Sequence, residues 1–430
     1  MWSHWFQRTW TSRYARNFLH AITANVLAQV MLLAAAPLLS RLYGPEAFGA
    51  FGIFTAIVGV GLAVATARLE WLIPNPQSLS QAARLLALGS VATVLSCVAL
   101  ALAVAWTPRS VLPDSWQSIT EVLWLLPWVL LGSGLQQLLQ AWHVRSADLA
   151  ALSRVKTLQS IANIFVALGV VWLFGSSAAQ WGLIAGMLFG AWTGALGLWH
   201  SAKEINGALK RVSIRGLNVI WLRHQGQIGW STLAAVLNAL SLAIVPLLLA
   251  RHYSVVEVGF YILMQRIAFV PIGLVSSAVR QSFWAEAAQG VRRDPIEVRR
   301  LFVSSIRRLS WIAAIVGLVA LAGPLYVGPV FGREQWQGAG WVLAASVPML
   351  IGQIVASPMS HLEVHGKQHW QVAWDALRMV ALVIVLEAVG RAAFPLPFAV
   401  LAMSLVAGAM YALLLLLNMR ALELAGSKLA

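Results

Sequence analysis

The chain has 430 residues, 60% of them hydrophobic and only 10% charged, with a mean hydropathy of +0.76. Soluble domains carry about 25% charged residues, so this apolar content exceeds what one water-exposed fold can hide, and a bilayer is the solvent that suits it. The formal net charge of +15 would suit nucleic acid as a partner only if the basic residues gathered on one surface; they are spread in alternate gaps instead, which excludes that class. A hydrocarbon core takes roughly 20 apolar residues as a helix. The spacing here is helical rather than the alternation of a barrel strand, which predicts an all-α integral membrane protein.

Twelve apolar stretches follow one another, near 18–40, 50–73, 82–106, 120–141, 154–174, 180–200, 226–250, 258–280, 309–331, 339–362, 371–390 and 397–419. Ahead of the first, Arg13 and Arg16, together with Ala34-Ala35-Ala36 inside it, imitate a cleaved secretory signal. The apolar run continues to Leu39 and has a counterpart later in the chain, so it reads as a span. Lys and Arg crowd the N-terminal tail, the even-numbered gaps and the C-terminal tail. The odd-numbered gaps hold only Arg41, Arg109, Arg251, Arg333 and Arg391. This is the positive-inside bias and places both termini in the cytoplasm. The runs Lys210, Arg211, Arg215 and Arg292, Arg293, Arg299, Arg300 then serve topology and contact with anionic lipid.

Polar residues recur at helical spacing within the spans. Asn25 and Gln29 lie one turn apart in the first, Gln136, Gln140 and His143 in the fourth, Gln159 and Asn163 in the fifth, and Ser346, Gln353, Ser357 and Ser360 in the tenth. Such faces turn from lipid, either to pack helices through hydrogen bonds or to line a polar passage. Cys97 is the single cysteine and excludes an intrachain disulfide. Arg68 and Glu70 fall near the inner end of the second span, where snorkelling is easy, and Arg280 lies at the matching end of the eighth. Arg266 is about eight residues into the eighth span with no acid in the following turn. It either faces water or an anion, or pairs with a carboxylate or backbone carbonyls of another helix.

Asp375 and Arg378 share one face of the eleventh span, as a neutral pair or as a coupling and gating element; Glu387, near its outer end, is alone uninformative. His361, His365 and His369 are spaced by four, but Gly366 and Lys367 interrupt them, which favours a solvated helix end over a metal site. Trp71, Trp106, Trp116, Trp199 and Trp221 lie near span ends as interfacial anchors. No Walker loop, dinucleotide fingerprint or nucleophile elbow is present, which argues against ATP hydrolysis in cis and against a cofactor.

Laying residue 41 on residue 251 matches Leu38, Leu39, Arg41, Tyr43 and Gly49 with Leu248, Leu249, Arg251, Tyr253 and Gly259, and sets Phe51 opposite Tyr261. A two-residue shift brings Arg68 over Arg280. The halves read as copies of one six-helix unit related by a pseudo-twofold along the membrane normal, with chance likeness among Leu-rich helices as the competing explanation. The expected organisation is a lobe over 1–200, a cytoplasmic and interfacial linker over 201–225 with a surface stretch from Leu209 to Leu222, and a second lobe over 226–430.

The segment Pro37-Leu38-Leu39-Ser40-Arg41-Leu42-Tyr43-Gly44-Pro45-Glu46-Ala47-Phe48-Gly49 resembles the first external turn of the bacterial polysaccharide flippases, the Wzx-type exporters. Ala65-Thr66-Ala67-Arg68-Leu69-Glu70 with Ile73-Pro74 is similar to the end of their second helix. Gly259-Phe260-Tyr261, Gln265-Arg266, Pro271 and Ser277-Ala278-Val279 are similar to their eighth. Ile354-Val355-Ala356-Ser357-Pro358 and Gly366-Lys367-Gln368 are similar to their tenth span and the turn after it. The resemblance implies the fold of the multidrug, oligosaccharidyl-lipid and polysaccharide exporters, two six-helix bundles facing each other in a V, in the bacterial cytoplasmic membrane. It also implies a substrate, an undecaprenyl-pyrophosphate-linked oligosaccharide carried from the cytoplasmic to the outer leaflet for O-antigen, capsule or exopolysaccharide synthesis. A polymerase and a chain-length regulator of the same assembly are implied partners. Lipid II flippases share the Arg-x-x-x-x-Pro-x-Gly pattern seen at Arg266, Pro271 and Gly273, with the arginine in their central cavity, but their cationic first helix and longer C-terminal tail have no counterpart here.

On this reading, moving a diphosphate head through hydrocarbon needs a wet cationic cavity, and arginine suits phosphate through its bidentate fork. Arg266, Arg68, Arg280 and Arg378 are the expected phosphate ligands, Asn25, Gln29, Gln136, Gln140, Asn163 and Gln353 the expected sugar path, and Asp375 and Glu70 the candidates for coupling to H⁺ or Na⁺. A small-molecule antiporter of the same superfamily would carry an acid in the first or seventh span, and neither has one. A polymerase or ligase would carry a sizeable external loop to hold acceptor and donor, and no external gap much exceeds a dozen residues.

Overall fold

A computed structural model describes residues 13–76, 78–107, 120–175, 179–202, 204–273, 276, 279, 295–356 and 368–426. Each apolar stretch named above holds helix. The longer helices are α1 (Arg13–Ala65), α2 (Leu79–Trp106), α3 (Leu126–Arg145), α4 (Leu149–Phe174), α5 (Ala179–Ser201), α6 (Ile214–His252), α7 (Val255–Met264, widening over Gln265–Phe269), α8 (Pro295–Leu321), α9 (Gly323–Phe331), α10 (Gln337–Ala345), α11 (Val347–Val355), α12 (Gln368–Arg391) and α13 (Leu396–Gly426). Local chemistry sets several starts. Asp148 accepts from the Ala151 N–H at 3.1 Å ahead of α4, and Ser254 and Glu257 cap α7 reciprocally.

Among the described residues, eight helices are long and apolar enough to cross a membrane, or nine if the pair 334–345 and 347–355, bent by 49°, is one span. One of the eight, Ala28–Ala65, has 38 residues, roughly 57 Å at 1.5 Å per residue and about twice a hydrocarbon core. It breaks at Gly44 (φ 67, ψ 172), a backbone state that suits a residue without Cβ. The expected turn between the first two spans falls there. The second leg ends at Ala65 rather than near 73, so Arg68 and Glu70 lie in the turn beyond it, where Leu69–Trp71 form a single 3₁₀ turn.

The chain forms two compact units, one built from the residues up to Tyr43 with Ala50–Ile244, the other from Gly44–Gly49 with the residues from Val245 onward. In the first, α4 lies along α5, α5 along α3 and α3 along α2, around a core that includes Leu85, Leu86, Leu138, Leu139 and Ile205. Tyr43 donates its hydroxyl to the Ala167 carbonyl of α4. In the second, α11 packs on α8 and α13, α10 on α7 and α9, and α12 on α13. Large apolar side chains such as Leu102, Trp172, Leu318 and Leu405 are exposed on the outside of the units, as suits a surface that meets lipid.

The short segment Gly44–Gly49 packs on the start of α7 through backbone. A Cβ at Gly49 would strike the Val255 carbonyl oxygen, and a Cβ at Gly259 would strike the Pro45 carbonyl oxygen. The offset that lays 41 on 251 also lays Pro45 on Val255 and Gly49 on Gly259, so the crossing is reciprocal between matched positions. Two glycines let the backbones approach as small residues do at helix contacts in membranes.

Candidate functional site

Within the second unit, α7 brings an arginine into an aromatic setting. The helix is regular from Val255 to Met264 and then opens into a wide π turn over Gln265–Phe269. Such a turn inserts one extra residue and redirects the side chains that follow; π turns recur at functional sites. Arg266 sits in it. Its guanidinium carbon lies 5.9 Å from the ring centroid of Phe48, and its Nη1 is buried and meets no hydrogen-bond acceptor among the described residues. Gln265, beside it, donates to the Tyr261 hydroxyl at 3.4 Å.

Phe48 is fully buried, as is Trp336. The two rings meet edge-on with centroids 5.2 Å apart and planes at 87°, and Phe260 of α7 lies tilted against Trp336 at 6.1 Å. Sequence reasoning missed both Phe48 and Trp336. Phe48 stands inside the motif that resembles the flippases, but Trp336 is one of 21 tryptophans and nothing in its neighbours sets it apart.

The other expected ligands are placed as follows. Arg68 Nη1 lies 3.6 Å from Glu70 Oε1, with the guanidinium 5.1 Å from the Trp71 ring, in a turn where Ala67 and Arg68 both adopt positive φ (49° and 57°). Arg68 Nε and Glu70 Oε2 are buried without hydrogen-bond partners among the described residues. Backbone strain of this kind in non-glycine residues clusters at functional sites. Arg378 Nη2 is 3.5 Å from Asp375 Oδ1 and lies over Trp374 at 4.7 Å, while Gln371 donates to Asp375 at 3.3 Å. That pair is therefore engaged along its own helix.

Gln136 is buried and donates to Gln159 of α4; Asn163 abuts Gly186 and Gly190 of α5. These amides join α3, α4 and α5. Gln140 and Gln29 are half-buried, and Gln353 lies in α11. Asn25 lies in α1, with its side chain outside the described set. Arg280, Ser357, Ser360, His361 and His365 lie outside the described residues.

Glu387 of α12 gathers what the sequence left scattered. Its carboxylate stands 3.2 Å from Arg251 Nη1, 3.3 Å from His252 Nε2 and 3.2 Å from Arg391 Nε. A separate groove of the first unit, between α2 and α3, is lined by Val94, Cys97, Val98, Trp124, Trp128 and Leu131. It offers no charge to an ionic ligand.

The sequence model of a polysaccharide biosynthesis protein family matches residues 38–339. Among solved structures, the lipid II flippase MurJ in an inward closed conformation is similar at a TM-score of 0.67 and 13% identity, over 94% of this chain and 87% of that one. A MOP superfamily transporter from Pyrococcus furiosus is similar at 0.53 and 14%, over 95% of this chain and 94% of that one. No curated protein matches the sequence. At these identities the likeness is one of fold, and it agrees with the helical membrane architecture expected from the sequence.

Proposed function

We propose that this chain, which belongs to the polysaccharide biosynthesis protein family, is a flippase for an undecaprenyl-pyrophosphate-linked oligosaccharide, carrying the head group from the cytoplasmic to the outer leaflet of the bacterial cytoplasmic membrane. The observation that carries the reading is Arg266, a guanidinium within an apolar span with a buried Nη1 that meets no acceptor among the described residues. A charge at that depth costs several kcal/mol unless it serves an anion or water, and a guanidinium matches a phosphate in shape and charge. The family supplies the saccharide and the arginine the phosphate.

In this reading, lobes over 1–200 and 226–430, joined by the linker 201–225, rock to expose the head group to each side in turn. We assign the diphosphate to Arg266, with Arg68, Arg280 and Arg378 as further phosphate ligands and Asn25, Gln29, Gln140 and Gln353 as the sugar path, while Gln136 and Asn163 hold α3, α4 and α5 together. An outward-moving anion is assisted by a potential that is negative inside, about 2.3 kcal/mol per charge per 100 mV. Glu70 and Asp375 are the groups on which H⁺ or Na⁺ coupling would act.

The test is transport of a labelled lipid-linked oligosaccharide across vesicles holding the purified protein. Wild type moves the label to the far leaflet, and Arg266→Ala abolishes movement while its helical content and melting temperature stay at the wild-type level. Full activity in that variant removes Arg266 from the site, and an inert wild type with every such lipid sinks the flippase reading.

A further inference from the structure

Among the described residues, Arg266 meets an aromatic ring and no carboxylate. Its guanidinium lies near the Phe48 ring; Phe48 meets Trp336 edge-on, and Trp336 meets Phe260 of the arginine's own helix. A ring face attracts a cation through its quadrupole, and more strongly where water is excluded. Unlike a carboxylate, it leaves the positive charge uncancelled. The arrangement therefore fixes the direction of a cation and keeps that cation available to an anion.

The backbone around Phe48 is built to hold it still. Gly44 makes the turn with φ 67, Gly49 and Gly259 bring the segment against the start of α7, and the ring itself is fully buried. On the opposite side, the wide turn over Gln265–Phe269 sets where Arg266 emerges. Arg266 thus comes from an irregular turn, and Phe48 from the first helical turn after the break at Gly44.

We propose that Phe48 is a positioning residue for the diphosphate, acting through Arg266: its ring, seated on Trp336, aims the guanidinium and so sets how tightly the phosphate is held. This rests on the flippase reading above. Phe48→Leu removes the ring with little loss of bulk, whereas Phe48→Tyr keeps it. The probe is undecaprenyl diphosphate without sugars, titrated onto the full-length protein in nanodiscs, with the melting temperature of each variant recorded beside its affinity.

Phe48→Leu should weaken half-saturation by about 3- to 30-fold, the span from a partly exposed to a desolvated cation–π contact, and Phe48→Tyr should bind as wild type does. In an Arg266→Ala background, Phe48→Leu should add nothing further, because residues that act as a unit are not additive. Unchanged binding in Phe48→Leu, or an equal loss in the Arg266→Ala background, overturns the proposal and leaves the flippase reading in place. Equal binding by wild type and Arg266→Ala overturns the proposal and also removes Arg266 from the site, whereas a wild type that binds no such lipid counts against the flippase reading itself. Where Phe48→Leu does not fold, Phe48→Met takes its place in the same cycle.

Discussion

At the turn inside α1, Tyr43 donates its hydroxyl to the carbonyl of Ala167; at the turn between α6 and α7, Tyr253 donates to the carbonyl of Phe394 at 3.0 Å. The tyrosines occupy matched positions of the repeat, and each ties a turn to backbone far along the chain. What surrounds them differs. The first turn bends on Gly44, and the helix that follows, over 45–65, carries a single charged residue, Glu46. The second is capped by Ser254 and Glu257, is flanked by Arg251 and His252 on Glu387, and leads into a helix that opens around Arg266. A shared backbone plan carries its chemistry mainly on one copy, because a tyrosine tie and a glycine crossing hold position without deciding charge.

The largest effect is expected at the crossing that both turns share. Gly49→Ala and Gly259→Ala each drive a methyl into a backbone carbonyl that cannot rotate away, which costs about 1–3 kcal/mol or more. Both should lower the melting temperature and the yield of folded protein, and by similar amounts if the contact is reciprocal. A neutral result at one glycine with a large one at the other would show that the two copies do not bear equally on each other.

A smaller effect tests the charge that sets the second turn apart. Glu387→Gln leaves Arg251, His252 and Arg391 crowded without their carboxylate. The variant should melt below wild type, with most of the difference gone at high salt, since exposed ion pairs are screened. A deficit that persists at high salt would mean that the carboxylate holds α12 by packing instead.

The smallest effect sharpens the likeness. Tyr43→Phe and Tyr253→Phe each delete one hydrogen bond to a carbonyl, about 1 kcal/mol apiece, and equal shifts in melting temperature would support equivalent roles. Burial, and then the Glu257 carboxylate, hold the Tyr253 phenol above its ordinary value. A group whose value is raised by folding gives its full stability below the unfolded value and loses it as pH climbs through the folded one. The Tyr253 bond should therefore be insensitive to pH around neutrality, and the gap between wild type and Tyr253→Phe should narrow only in strongly alkaline buffer.

Much of the scaffold was legible in the sequence. Apolar runs of about 20 residues can only be helices when the solvent is hydrocarbon, and Arg266 stood out because no acid lies near it. The matched Tyr and Gly positions were visible at an offset of 210 residues, and the structure sets them at the two turns. Other features were not visible. The second leg ends at Ala65 because the backbone turns at Ala67 and Arg68, although the run of apolar residues around them continues. The tenth stretch bends at Ser346, between α10 and α11. Gln136 and Gln159 read as two polar faces and prove to be one bond between helices.

The solvent this protein lives in and its helices follow from composition and period along a single strand of chain, which also set Arg266 apart as an arginine with no acid in the turn after it. Who faces whom comes from the packing: Glu387 collects cations from Arg251 and His252 as well as from Arg391 on its own helix, and Phe48, seated on Trp336, stands beside Arg266. Helical periodicity names the face a residue occupies, but the residue opposite comes from another helix hundreds of positions away, and its identity is set by how the helices pack.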